Sequence, residues 1–141
     1  KKKNASTSVH DAKTLLQDIA GVRVICFFER DIRHLAGCLK KQSDLIIIKE
    51  KDYIATPKPN GYRSYHLITG VPIYYTDGME YYPVEIQFRT ISMDFWAAMQ
   101  HRISYKNQPF NEIEMKSAFL QYSEILDKME KSFEVYSENS I

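Results

Sequence analysis

The chain has 141 residues, of which 44% are hydrophobic and 26% are charged, and this composition excludes an intrinsically disordered protein. No apolar run approaches the roughly 18 residues of a membrane span, and the lysine-rich start lacks the apolar stretch of a signal peptide. The net charge of +1 argues against a surface coated for nucleic acid. Because Cys26 and Cys38 form no CxxC pair, we expect a reduced, cytoplasmic protein.

Charge is distributed unevenly along the chain. Residues 1–66 contain 13 Lys and Arg against 7 Asp and Glu, whereas residues 67–141 contain 6 against 11. A basic first half suits a phosphate-rich ligand, and an acidic second half suits a solvated or partner-facing surface. Scattered surface charge without a function is the alternative interpretation.

The first half of the chain is predicted to alternate helices and strands. A short helix is expected over residues 9–17, followed by a β-branched and aromatic strand over 21–28 that should be central in a sheet. Apolar residues at helical spacing then predict a helix over 31–41. Second and third strands follow over residues 44–53 and 64–75.

The second half begins with a hairpin signal, TDG, and a fourth strand over residues 79–90, which the short connection makes antiparallel to the third. A helix over 92–106 should begin with Ser92 as its N-cap. Residues 111–138 predict an amphipathic helix of about seven turns. Its apolar stripe comprises Ile113, Phe119, Tyr122, Leu126, Met129, Phe133 and Tyr136. We therefore expect an α/β (α+β) domain over 1–110, with a mixed sheet covered by helices, and a packing or oligomerisation helix over 111–141.

The fourth strand carries the most informative pattern. Val84, Ile86 and Phe88 alternate with Glu85, Gln87 and Arg89, so that the polar groups share one face of the strand. That face could simply meet water. Alternatively, an acid, an amide and a guanidinium in one row could supply a metal ligand, a hydrogen-bonding group and a phosphate clamp.

A second candidate is the pair of charges around the first strand. Asp18 precedes the strand, and Arg23 interrupts an otherwise apolar run. A charge there must be paired or accessible, because burying it alone would cost several kcal/mol. Arg23 could form an ion pair with Glu85 or Asp18. Alternatively, Asp18 could bind a metal, with Mg²⁺ favouring one or two carboxylates, while Arg23 stacks on a base.

The third candidate is the turn PKPNGYRSYHLI, residues 57–68, which concentrates rings and cations at the entrance of a strand. Tyr65 is compatible with a tyrosine-rich hairpin edge. Gly61 would let the backbone bend close to a ligand, and Tyr62 offers a stacking face. The side chain of Arg63 should leave the strand on the face opposite Tyr62.

Taken together, the segments DIAGVRVI, KDYIATPKPNGYRSYHLI, VEIQFRTISMDFWA and HRISYK resemble the synthetase domain of the RelA/SpoT-type alarmone synthetases, and MDFWAAMQH is most similar to the stand-alone small alarmone synthetases. The resemblance covers about residues 9–106. It implies a nucleotidyltransferase-like fold and transfer of the β,γ-pyrophosphate of ATP to the 3′-hydroxyl of GTP or GDP, giving (p)ppGpp and AMP. It also implies a homotetramer.

The resemblance assigns roles to eight residues. Asp18 and Glu85 would hold Mg²⁺, and Glu85 would also accept the proton of the 3′-hydroxyl. Arg23 would stack on adenine and Tyr62 on guanine. The remaining acceptor-site residues would be Lys58, Asn60, His66 and Gln87.

The same resemblance implies a basic segment upstream of residue 1 that completes the ATP site, so we expect the sequence to be a piece of a longer protein. Two alternatives to the enzyme remain open. One is a catalytically silent module that binds a guanine nucleotide or RNA, and the other is an assembly domain organised by the helix over 111–138.

Overall fold

The computed structural model describes residues 20–106 and 111–138. The predicted helix over 9–17 lies outside these residues. The elements are, in chain order, strand β1 (Ala20–Cys26), helix α1 (Glu29–Lys40), strands β2 (Ile46–Asp52), β3 (Tyr65–Tyr75) and β4 (Gly78–Thr90), and helices α2 (Ile91–Lys106) and α3 (Glu112–Glu138). Every predicted strand and helix within the described residues is therefore present.

The four strands form one mixed sheet in the order β1-β4-β3-β2. β3 and β4 pair antiparallel, as the short hairpin predicts, and β1 pairs parallel with β4. The prediction that β1 is central is wrong for the described sheet, in which β1 is an edge strand. Of its apolar run, only Cys26 is buried and Val24 packs partly against the core, whereas Val22 and Ile25 are exposed. A mixed sheet flanked by helices confirms the predicted fold class.

The apolar face of the sheet packs against α1. Alternate residues of β3 and β4 reach this face, and Leu67 and Phe88 are at most 1% exposed. Ile32 and Ala36 of α1 cover them, since they lie one helical turn apart on the same side of the helix. Tyr65 is also buried here, with its ring packed edge-on against Phe88. The interpretation of Tyr65 as a hairpin-edge residue is therefore wrong.

Helix α2 begins one residue earlier than predicted, and Ser92 is not its N-cap. Thr90 immediately precedes the helix, and its hydroxyl accepts a hydrogen bond from the backbone N–H of Met93 at 3.4 Å. A hydroxyl three residues before the N–H that it binds is the usual N-cap geometry. The hydroxyl of Ser92 instead donates to Glu130 of α3 at 2.7 Å.

Helix α3 packs against α2 and the turn before β3. Trp96 of α2 donates from its indole N–H to the carbonyl of Phe119 at 2.8 Å. Arg63, whose role the sequence leaves open, donates to Asp127 at 2.7 Å. Much of the predicted apolar stripe is nevertheless exposed, including Tyr122, Met129 and Phe133. Among the helices of the described residues, none combines the length and hydropathy of a membrane span.

Candidate active site

The polar face of the sheet brings together residues from three strands. Gln87 of β4 lies opposite Arg23 of β1 on one side and opposite His66 of β3 on the other. Residues paired directly across neighbouring strands point to the same face. Arg23, Gln87 and His66 therefore form a row across the sheet, and Glu85 lies two residues before Gln87 on the same face.

The central contact of this face is between His66 and Glu85. His66 Nδ1 lies 2.9 Å from Glu85 Oε1. His66 is 8% exposed, whereas the side chain of Glu85 is 28% exposed. Burial lowers the pKa of His66 below its ordinary value of 6.5, although the hydrogen bond and charge of Glu85 act in the opposite direction. A neutral imidazole therefore holds one oxygen of a carboxylate that solvent can reach.

The conformation of the turn before β3 depends on Gly61 and Asn60. Gly61 has φ of +98°, in the region that favours glycine. Asn60 accepts a hydrogen bond from the backbone N–H of Tyr62 through its side-chain oxygen at 2.9 Å, which closes an Asx turn. A Cβ on Gly61 would lie 3.0 Å from the Cβ of Ser123 in α3. Gly61 therefore allows a close approach of α3 to the turn, and its predicted approach to a ligand stays a prediction.

Tyr62 projects from this turn toward His66. Its hydroxyl lies 3.2 Å from His66 Nε2 and accepts a hydrogen bond from Arg89 at 3.2 Å. The Lys58 ammonium lies 5.0 Å from the centroid of the Tyr62 ring and 4.8 Å from that of Tyr53. These distances are those of cation–π contacts. A base that stacked on Tyr62 would therefore meet Lys58 at the same ring.

Asp94, in the first turn of α2, joins two arginines of the polar face. Its carboxylate accepts a hydrogen bond from Arg89 at 3.0 Å and lies 3.7 Å from Arg23. The predicted ion pair of Arg23 with Glu85 is therefore not formed, because Glu85 binds His66. The Arg23 side chain is 54% exposed, so that its guanidinium lies within ion-pair distance of Asp94 and still meets solvent.

The structure brings together most of the residues predicted for the site. Arg23, Lys58, Tyr62, His66, Glu85 and Gln87 all lie on or beside the polar face of the sheet. Asn60 differs, because its side-chain oxygen is used within the turn and the residue lines a cavity of about 200 Å³ with Trp96 and Gln100. Asp18 lies outside the described residues.

Sequence reasoning missed three contributors to this face. Asp94 could have been noticed as an acid in the first turn of a helix that directly follows the polar strand. Tyr53 gave no signal, because its ring reaches Tyr62 and His66 only through the pairing of β2 with β3. Ser64, a buried hydroxyl 2.6 Å from His66 Nε2, was indistinguishable from an ordinary turn serine.

The donor set fits a magnesium ion only in part. Within residues 20–106 and 111–138, no three carboxylate, imidazole or thiol side chains converge as a metal-binding group. Glu85 nevertheless offers a partly exposed carboxylate of which one oxygen is held by His66. Since Mg²⁺ commonly takes one or two protein carboxylates and completes its shell with water and phosphate oxygens, Glu85 is a suitable ligand.

The protein is an α+β protein with a mixed sheet flanked by helices, and one face of that sheet carries a carboxylate, an imidazole and arginines with a tyrosine beside them. The family model described as "Region found in RelA / SpoT proteins" matches residues 1–109. The chain therefore belongs to the RelA/SpoT family, and the resemblance found in the sequence is confirmed.

Individual relatives agree with this assignment. GTP pyrophosphokinase YwaC of Bacillus subtilis is 51% identical over 105 residues, which are 74% of this chain and 50% of the relative, so that the chain spans half of that protein. The crystal structure of small alarmone synthetase 2 from B. subtilis superposes with a TM-score of 0.77 at 43% identity, covering 84% of this chain and 65% of the other. Small alarmone synthetase 1 from the same organism, bound to its product pppGpp, superposes with a TM-score of 0.77 at 33% identity, covering 94% and 68%.

Proposed function

We propose that this chain is the synthetase region of a GTP pyrophosphokinase that makes (p)ppGpp. In this reaction a bond forms between the 3′-oxygen of GTP or GDP and the β-phosphorus of ATP. The bond between that phosphorus and the α,β-bridging oxygen breaks, and AMP leaves. The observation that carries the proposal is the solvent-accessible Glu85 carboxylate, oriented by His66, on the same sheet face as the exposed Arg23 guanidinium.

Glu85 supplies the base in this proposal. Its free oxygen would accept the proton of the 3′-hydroxyl as the new bond to phosphorus forms, while the imidazole of His66 keeps the other oxygen in place. Phosphoryl-type transfer requires little covalent help from the protein and depends chiefly on alignment and on neutralising charge. An oriented carboxylate beside cationic side chains meets both requirements.

The two nucleotides would lie on either side of Glu85. Arg23 presents the face of its guanidinium for the adenine of ATP, with Asp94 fixing its other side. Tyr62 would stack on guanine. Because the Lys58 ammonium lies over the same ring, the base would either displace it or bind beside it, and the displaced ammonium could then bind an acceptor phosphate. Gln87 lies between Arg23 and His66 and would donate to the acceptor. Asn60 would act indirectly, through the turn that holds Tyr62.

Magnesium would be held by Glu85 and, by the family resemblance, by Asp18. When bound, the ion would neutralise phosphate charge during the transfer. The chain's own contribution would be the His66 hydrogen bond, which orients the carboxylate toward the ion as well as toward the substrate hydroxyl.

A direct assay tests this proposal. The protein encoded by the intact reading frame is mixed with ATP, GDP or GTP, and Mg²⁺, and AMP and the 3′-pyrophosphorylated guanosine are quantified. Undiminished product after Asp18→Asn or Glu85→Gln would contradict the assigned metal site. Nucleotide-dependent thermal stabilisation without AMP release would identify the silent binding module instead.

We also propose that the protein assembles with copies of itself through the apolar residues exposed on α2 and α3. Phe95 is 54% exposed, Ile125 58% and Phe133 62%, which is unusual for large apolar side chains of neighbouring helices. The family resemblance favours a tetramer. Sedimentation of wild type and of Ile125→Asp tests this, since a monomeric wild type would contradict it.

Cytoplasmic location stays a prediction that rests on the nucleotide substrates and unpaired cysteines.

A further inference from the structure

Ser64 is a fully buried residue, at 0% exposure, whose hydroxyl oxygen lies 2.6 Å from His66 Nε2. We propose that Ser64 is a positioning residue for the reaction: its hydroxyl donates to Nε2 and thereby fixes His66 as the tautomer whose Nδ1–H points at Glu85. The proposal deepens the function proposed above and rests on it, because Glu85 is the group that His66 orients.

For a neutral His66, which its burial favours, the chemistry of the three groups determines the direction of each hydrogen bond. A carboxylate can only accept, so His66 must carry its hydrogen on Nδ1 to bind Glu85 at 2.9 Å. A neutral imidazole with hydrogen on Nδ1 has a lone pair on Nε2. That lone pair needs a donor, and a hydroxyl at 2.6 Å can donate to it.

Two hydroxyls face Nε2, and the distances decide between them. Ser64 lies at 2.6 Å, whereas Tyr62 lies at 3.2 Å and also accepts a hydrogen bond from Arg89. A single lone pair supports one good hydrogen bond, and the shorter contact assigns it to Ser64. The hydroxyl hydrogen of Tyr62 is then available for a group outside this triad, such as a nucleotide on the polar face.

The backbone keeps the Ser64 hydroxyl in place. The carbonyl of Ser64 accepts a hydrogen bond from the N–H of Tyr53 at 2.9 Å, just beyond the last paired residues of β2 and β3. Full burial also excludes water as a competing partner for the hydroxyl. A second layer of hydrogen bonds of this kind orients a group that contacts substrate.

Loss of this hydroxyl should affect turnover more than substrate binding. Without a donor at Nε2, His66 can place its hydrogen on Nε2 and donate to Tyr62, and the bare Nδ1 then repels the Glu85 carboxylate. Glu85 would lose its fixed orientation, while Arg23 and the ring of Tyr62 would keep theirs. An interaction needed mainly in the transition state appears in kcat.

The ring nitrogens of His66 report the tautomer directly. In ¹⁵N NMR of the nucleotide-free protein, we expect a protonated Nδ1 and an unprotonated Nε2 in wild type, and mixed tautomers in Ser64→Ala. Hydrogen on Nε2 in wild type would overturn the proposal. This measurement needs no variant, so the proposal stays testable even if Ser64→Ala does not fold. The measurement is also independent of activity, so an inactive protein with the Nδ1–H tautomer would refute the function alone.

Kinetics supply the second test. We expect kcat of Ser64→Ala to fall roughly 10- to 100-fold, with KM for ATP and for the acceptor within about twofold, and Ser64→Thr to recover most of the loss. Thr69→Val is the matched control, because Thr69 is an equally buried hydroxyl of β3 that donates to the carbonyl of Val84. Equal kcat losses in Ser64→Ala and Thr69→Val would overturn the proposal.

Discussion

The two faces of β4 differ in what holds their side chains, although they alternate along the same strand. On the apolar face, Phe88 is 1% exposed and is fixed by shape, through packing against Tyr65 and α1. On the polar face, Glu85 is fixed by His66 of β3, and Arg89 by Asp94 of α2. The apolar face is therefore held by packing, whereas the polar face depends on hydrogen bonds from several elements and carries the residues of the proposed chemistry.

Glu85→Gln should give the largest effect and separate the two faces most clearly. The amide keeps the size of the side chain and can still accept from His66 Nδ1, so the free energy of unfolding should change by less than about 1 kcal/mol. Because the base is lost, kcat should fall roughly 10²- to 10⁴-fold. Product formation and urea unfolding measure the two quantities, with Glu124→Gln on exposed α3 as the control. If the loss in free energy of unfolding equalled the loss in kcat expressed as an activation free energy, the separation of stability from activity between the two faces would be contradicted.

Phe88→Ala should show the opposite behaviour. Removing a fully buried ring leaves a cavity and should lower the free energy of unfolding by about 3–5 kcal/mol. The kcat of the molecules that remain folded should stay near that of wild type, because Phe88 points away from Glu85. Phe88→Leu, which keeps most of the volume, should be milder. A selective fall in kcat at wild-type stability would show that the faces are not independent.

Tyr62→Ala should weaken binding of the acceptor nucleotide. Loss of a base-stacking ring is worth roughly 1–3 kcal/mol, so the acceptor KM should rise while the ATP KM changes little. Tyr62→Phe keeps the ring but removes the hydroxyl that contacts His66 and Arg89, and should have the smaller effect. An unchanged acceptor KM for Tyr62→Ala would assign this ring to structure and not to the polar-face site.

The smallest effect is expected at Asp127, which holds α3 to the turn that carries Tyr62. Burial raises the pKa of Asp127, but hydrogen bonds and charges from Lys131 and Arg63 outweigh it, so the pKa lies below its ordinary value of 3.8. A depressed folded-state pKa contributes stability above the unfolded value, and this is lost as pH falls through the folded value. Asp127→Asn should cost about 1–2 kcal/mol at pH 7 and progressively less below pH 3.8, as followed by urea unfolding. A difference independent of pH would contradict the ion pair.

Much of the fold was predictable because its signals are local. Period-two alternation in residues 84–89 separated the faces of β4, and the TDG turn specified the β3–β4 hairpin. The residues of the site were named through the family resemblance, and most of them meet on one face. Asp18 stays a prediction, since it lies outside the described residues.

Only the tertiary structure decided which groups pair. The parallel alignment of β1 with β4 placed Arg23 beside Gln87, and the start of α2 supplied Asp94 as a partner of Arg23 that the sequence had not suggested beside Glu85 and Asp18. The contact between Ser64 and His66 joins residues only two apart in the chain, but their burial comes from the packing around them. Sequence periodicity determines the face on which a residue lies, but a hydrogen bond needs two groups within about 3 Å, and strand register and helix docking set that distance.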